Sequence, residues 1–386
     1  MEILFWGSIL LIFYAYFGYP LALIALSSFR NRTVRKGEIT PSVSLIVTAF
    51  NEEARIQNKI ENTLEQDYPA NKFEIIVASD CSDDRTDEIV GNYETRGVRL
   101  VRAPERKGKE NAQKHAIETA SGEILIFSDV ATILQRDGIT NIVRNFNDQT
   151  VGCVSSVDKF IDLDGKVSGE GAYVRYEMFL RSLESKVNSL VGLSGSFFAA
   201  RKTVCKEWAT DLPSDFNTLL NSVKIGLRGV SDPDSIGYYH NISDERKEYG
   251  RKVRTVLRGI SAFMKSLDLL NPFRYGLFAW QIFSHKLCRW LVPFAMILAL
   301  IINLSLLAIY DPSFLYIPAF IVQIIFYAVA VLGIATRSAK PFIKIPAFFV
   351  LVNASILTAW YYYFRGESMV MWTPSERRCQ GDNASN

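Results

Sequence analysis

The chain has 386 residues, of which 49% are hydrophobic and 12% aromatic, and carries a formal net charge of +3. So small a charge gives no ground for a nucleic-acid partner. The five scattered cysteines, Cys81, Cys153, Cys205, Cys288 and Cys379, lack CxxC spacing, which argues against a zinc site or a disulfide framework and fits a reducing compartment.

Residues 3–26 are almost wholly apolar and exceed the roughly twenty residues a bilayer requires. Basic residues follow this stretch (Arg30, Arg32, Arg35, Lys36) instead of preceding it. It therefore reads as a retained anchor over 1–28, with the N-terminus outside and the next domain cytoplasmic. From residue 41, apolar runs at 43–48, 73–78 and 124–127 alternate with amphipathic stretches at 53–66 and 84–93, the pattern of a parallel sheet with crossover helices. Each run ends in acids or amides, which places Glu52, Glu53, Asp80, Asp84 and Asp129 at one sheet edge, where open α/β sheets bind ligands. A magnesium or manganese ion bridging phosphates accounts for so many acids there. Each is also an ordinary turn or cap residue.

Lys107-Gly108-Lys109 opens a helix, and Lys109 is placed either to reach a pyrophosphate or to sit solvated at the surface. A second half begins near Val151, with a helix over 170–180, a small-residue turn around Gly192 and Gly195 feeding a strand to Arg201, and a helix from Pro213 to near Gly226. Ser214 and Asp215 both suit its N-cap. Residues 246–258 are densely basic and suit a helix on anionic headgroups, with Arg251 or Arg254 turned to substrate phosphates. Interfacial helices over 263–290 lead to three spans at 291–310, 315–334 and 345–364. These spans contain no Asp, Glu, Lys or Arg, which is poor material for a transport path. Strict alternation puts the tail, 365–386, outside.

Taken in order, Thr48-Ala-Phe-Asn-Glu-Glu53, Ser79-Asp-Cys-Ser-Asp-Asp84, Gly108-Lys109, Asp129-Val130-Ala131, Gly195-Ser-Phe-Phe-Ala-Ala-Arg201, Ser214-Asp215 and Arg251-Lys-Val-Arg-Thr255 resemble the signatures of inverting family 2 glycosyltransferases. The likeness is greatest to the membrane-embedded members that include cellulose and hyaluronan synthases. It implies an α/β GT-A domain, a Rossmann-like mixed sheet over 41–262, followed by transmembrane helices. It also implies nucleotide-sugar contacts from Ala49, Asn51, Glu53, Asp80 (to uracil), Lys109, Ser128, Asp129 and Arg254, a metal (Mg2+ or Mn2+) on Asp129, and an acceptor side at Gly195 and Ser196. Asp215 would be the catalytic base. Three positions depart from the pattern: Ala131, Ser214 and Thr255.

The implied protein is a multi-pass enzyme of the inner (plasma) membrane. It would move sugar from a UDP-sugar to a lipid-linked or growing polysaccharide acceptor at the cytoplasmic face, among membrane lipids, with a homo-oligomer or an export partner admitted and no nucleic acid. The alternative that Ala131 raises is a catalytically inactive scaffold subunit of a polysaccharide synthesis or secretion complex.

Overall fold

The computed structural model describes residues 1–161, 172–240, 245–309, 314–336 and 340–371. They divide into two compact units, one of Leu26–Ser243, Ala262–Phe278 and Met369–Asn386, the other of Met1–Ala25, Asp244–Ser261 and Ala279–Ser368.

The first unit is built on an eight-stranded sheet: β1 (Val43–Ala49), β2 (Phe73–Ser79), β3 (Val98–Arg102), β4 (Ile124–Asp129), β5 (Ile133–Leu134), β6 (Val151–Ile161), β7 (Phe197–Arg201) and β8 (Arg228–His240), in the order β3-β2-β1-β4-β7-β6-β8-β5. All seven residues of β1 are buried, as an unbroken apolar run demands when both faces of a parallel sheet are covered. β3, β2, β1 and β4 are mutually parallel, with Ala49 level with Ser79 and Thr48 level with Asp129. Three strand ends therefore finish on one line. β7 then runs antiparallel to β4, with Ser128 opposite Phe197. The turn that starts β7 thus meets the end of β4, and the Asp129 N–H donates to the Ser196 carbonyl at 3.0 Å. Leu45, Ile75, Ile126, Phe197 and Ala199 lie in the main core. Phe127 stacks between Phe198 and Trp208, with ring centroids at 4.8 and 5.0 Å.

The expected α/β GT-A arrangement followed by long apolar helices is what the chain forms, with differences in the elements. The helix expected over 53–66 is Ile56–Leu64, because Glu52 and Glu53 are held in the preceding loop. That expected over 170–180 is Ala172–Val187.

Among the described residues of the second unit and its borders, four helices are long and apolar enough to cross a membrane: Glu2–Phe29, Leu277–Ala308, Tyr316–Thr336 and Pro341–Phe364. Two of them carry a π-helical turn, Tyr14–Gly18 and Phe283–Cys288. At these turns the Tyr14 hydroxyl shares a hydrogen bond with Ser284 Oγ (2.7 Å) and accepts one from Trp280 Nε1 (2.9 Å).

One expectation is corrected here. The interfacial segment does not stop at 290. One helix runs from Leu277 to Ala308, so His285, Lys286 and Arg289 stand on the same helix as the uncharged stretch that begins at 291. Arg289 is tolerated because it is buried inside the bundle, 3.3 Å from His285 Nε2 and 5.5 Å from the centre of the Tyr16 ring. Near the end of the described residues, Val370 lies in the sheet unit, its carbonyl 2.9 Å from where a Cβ on Gly108 would sit.

Candidate functional site at the carboxyl ends of the strands

Asp80 follows β2, and its buried carboxylate accepts the N–H of Lys107 (3.1 Å) and of Gly108 (3.0 and 3.2 Å). Burial raises its pKa against the pull of those two amides. Gly108 has φ of +99°, a conformation glycine takes without steric cost. It caps the helix Lys109–Thr119, which brings Lys109 to the sheet edge. There Lys109 Nζ donates to Asp129 Oδ1 at 2.5 Å and to the Gly195 carbonyl at 3.0 Å. Burial works to lower the Lys109 pKa, but the Asp129 carboxylate outweighs it and the net shift is upward.

Across this turn lies Asp215. Pro213 holds the N-cap position of the helix Ser214–Lys224, so Asp215 stands in the first turn and is not the cap. Its Oδ1 accepts from the Phe216 N–H at 2.8 Å, and its Oδ2 lies 3.0 Å from where a Cβ on Gly195 would be. Any side chain at 195 would therefore crowd the carboxylate. The Gly195 turn is tied down on either side, since Ser194 Oγ and Ser196 Oγ both donate to Asp158 Oδ1, at 2.6 and 2.7 Å. Lys109, Asp129, Gly195 and Asp215 thus meet at one place. Ser196 faces Asp158, and only its carbonyl reaches Asp129.

The other candidates are differently engaged. Four of the five acids, Glu52, Glu53, Asp80 and Asp84, hold loops. Glu52 pairs with Arg55 at 2.6 Å and is buried. The Glu53 N–H donates to Asp84 Oδ2, and the Arg85 N–H donates back to Glu53 Oε2. Asn51, at φ of +51°, accepts the Asp83 N–H on its side chain. Among the described residues no group of three or more His, Cys, Asp or Glu is placed to hold a metal. What remains is the Asp129 carboxylate, with Ala131 where a second acid was looked for. One carboxylate suits Mg2+ or Mn2+ if the ion takes its other ligands from substrate phosphate and water.

The Ser128 hydroxyl is buried and takes a hydrogen bond from Lys59 Nζ at 2.7 Å. Ala49 is buried at the end of β1, where its carbonyl accepts the Asp80 N–H. Arg254 belongs to the second unit, on the helix Glu245–Met264.

Two residues of this region were not singled out from the sequence. Lys59 is wholly inside the sheet unit, and burial pushes its ammonium down to about 7 against the pull of Asp129. It also donates to the Thr132 carbonyl at 2.6 Å, so it brackets the Asp129 turn from both ends. Glu110, buried beside Lys109, accepts the Ser214 N–H at 3.3 Å and joins the lysine helix to the Asp215 helix. The available signal was an ionisable residue on the apolar face of an amphipathic helix.

Residues 44–208 match the sequence profile of Glycosyl transferase family 2. An N-acetylglucosaminyltransferase of Bradyrhizobium elkanii is 32% identical over 132 residues, which is 33% of this chain and 71% of that protein. The poly-beta-1,6-N-acetyl-D-glucosamine synthase of Staphylococcus aureus (strain COL) is 26% identical over 195 residues, 48% of this chain but only 46% of the synthase. A solved mannosyltransferase from Pyrobaculum calidifontis, in complex with GDP-Man and Mn2+, superposes with a TM-score of 0.71 over 95% of this chain and 100% of its own, at 23% identity, and so supports the fold. With that profile over 44–208 and 71% of the Bradyrhizobium elkanii relative covered at 32% identity, the chain belongs to glycosyl transferase family 2.

Proposed function

We propose that the chain transfers a sugar, with inversion, from a UDP-sugar to a lipid-linked or polysaccharide acceptor at the cytoplasmic face of the membrane. The observation that carries this reading is the meeting of Lys109, Asp129, Gly195 and Asp215 at the carboxyl edge of the sheet. Asp215 takes the proton from the acceptor hydroxyl while that oxygen forms its bond to the anomeric carbon. The bond from that carbon to the donor phosphate breaks on the opposite face, and the diphosphate leaves with the electron pair. Lys109 receives the diphosphate charge. Asp129 would hold Mg2+ or Mn2+, which when bound adds charge stabilisation of the leaving group. Asp80 sets the Lys107–Gly108 turn, and the base is read beside it. Arg254 is assigned to the same phosphates on the family pattern alone.

The names of the two bacterial relatives make UDP-N-acetylglucosamine the first donor to try. The test is transfer by the purified full chain in detergent from UDP-N-acetylglucosamine, UDP-glucose and GDP-mannose to extracted membrane lipid, with the product linkage read by NMR. A β-linked product from a UDP donor is expected. Retention of configuration, or turnover with GDP-mannose alone, overturns the mechanism or the donor. Binding of every donor without turnover favours the scaffold alternative.

A further inference from the structure

The Asp129 carboxylate is already partnered where a metal would bind. With 29% side-chain exposure, it carries the Lys109 ammonium at 2.5 Å, and that ammonium is itself only 12% exposed. Behind the turn, Lys59 grips Ser128 Oγ and the Thr132 carbonyl. The position that would add a second acid is Ala131. An incoming divalent ion therefore meets a carboxylate oxygen already taken by a short, charge-assisted hydrogen bond, the stronger kind.

We infer that Lys109 is an exchangeable internal cation, which stands on Asp129 while the donor site is empty and moves to the diphosphate when the donor enters. The Gly195 carbonyl is its second hold in the resting position. A flexible lysine stem suits such a move, whereas a rigid fork would not. The consequence is an order of events: Asp129 is open to a metal only once the nucleotide has drawn Lys109 away, so metal and nucleotide bind together and neither completes the site alone. The inference rests on the donor reading above for the identity of the incoming anion, but the pairing of Lys109 with Asp129 does not.

The test is Mn2+ binding to the full chain in detergent, read by the EPR signal of free Mn2+, with and without UDP, for wild type and Lys109→Met. Wild type is expected to bind Mn2+ at least about ten-fold more tightly with UDP than without, since the ion takes phosphate ligands. Lys109→Met is expected to bind Mn2+ without nucleotide at least about three-fold more tightly than wild type, through the freed carboxylate, and to bind UDP more weakly. Lys109→Arg keeps the charge and should exclude the ion as wild type does. Equal Mn2+ affinity of wild type with and without UDP overturns the inference, and so does a nucleotide-free affinity unchanged by Lys109→Met. If Lys109→Met fails to fold, the wild-type comparison decides. If wild type does not bind UDP, the donor reading fails, and the nucleotide-free comparison of wild type with Lys109→Met still decides the role of the lysine.

Discussion

Asp215→Asn keeps the size of the side chain and its ability to accept the Phe216 N–H, and removes its basicity. Since Pro213 occupies the cap position, the helix does not depend on the carboxylate for its start. Transfer should fall by about 100- to 10,000-fold while UDP binding and the thermal midpoint stay near wild type. Asp211→Asn is the control. Asp211 pairs with Lys265 where both are more than half exposed, and such a pair is worth at most about 1 kcal/mol. Retention of more than about a tenth of the activity by Asp215→Asn falls short of the general-base range and moves the base elsewhere, with Asp158 next. Motif order singles out Asp129, Lys109 and Asp215, and the structure brings these three together around Gly195. Lys59 and Glu110 were not legible, because the partners that give them meaning, Ser128 and Ser214, lie 69 and 104 residues away along the chain. Nor could spacing tell that Glu53 and Asp84 would be used up in lacing two loops together.

The strands read best where they are apolar throughout. β1, β2 and β4 stand out for that reason, whereas β8 carries Asp232, Pro233 and Asp234, which break the apolar pattern of a strand. Its polar residues are satisfied from afar: buried Asp232 receives Lys36 Nζ at 2.7 Å and Asn145 Nδ2 at 2.6 Å. A similar long-range junction holds the start of β8. Arg228 Nη2 lies 3.1 Å from Asp148 Oδ2, with both side chains buried or nearly so. Burial works against the Asp148 carboxylate, but hydrogen bonds from Thr150 and Arg228 overcome it and hold its pKa at about 2, below the ordinary 3.8. A carboxyl depressed on folding adds stability above its unfolded pKa and loses it as pH falls through the folded value. The contribution is about 2 kcal/mol at neutral pH and should vanish between about pH 4 and pH 2. Asp148→Asn should therefore lower the thermal midpoint at pH 7 by about 4–8 °C. The gap to wild type should close as the pH is taken below 4. A gap that is the same at pH 7 and pH 3 removes the ion pair from the stability of this junction.

Sidedness is a property of the whole chain, and here the contacts favour a count that hydropathy alone does not give. Four helices that all cross would put the residues after Phe364 opposite the sheet unit, yet Val370 sits against Gly108 of that unit. The helix Pro341–Phe364 is the one whose crossing is at issue. Its Phe348 ring lies 4.5 Å from Lys252 Nζ, and its Thr358 shares a 3.0 Å hydrogen bond with Tyr249. Lys252 and Tyr249 are one turn apart on the helix Glu245–Met264, so two points ten residues apart on the last helix touch nearly the same place. The helix Glu245–Met264 is too basic to enter hydrocarbon and suits the headgroup layer. The last helix meets it at one place and so crosses it, and the end of the last helix returns to the start of an earlier span, where Trp360 Nε1 donates to the Trp290 carbonyl at 3.0 Å. A sheet unit and a tail on one side take two crossings after the sheet unit, one fewer than the candidate helices offer. The basic residues after the first span are the ground for expecting the sheet unit in the cytoplasm, and labelling counts the crossings. Arg228 is buried and unsuitable as a reporter, whereas Lys206, Phe314 and Met371 are exposed. In a background lacking Cys81 and Cys379, single cysteines at Lys206→Cys and Met371→Cys should resist an impermeant maleimide in intact cells and react after permeabilisation. Phe314→Cys should react in intact cells. Labelling of Met371→Cys from outside restores four crossings, and labelling of Lys206→Cys from outside inverts the whole assignment and removes the donor site from the nucleotide-sugar supply of the cytoplasm.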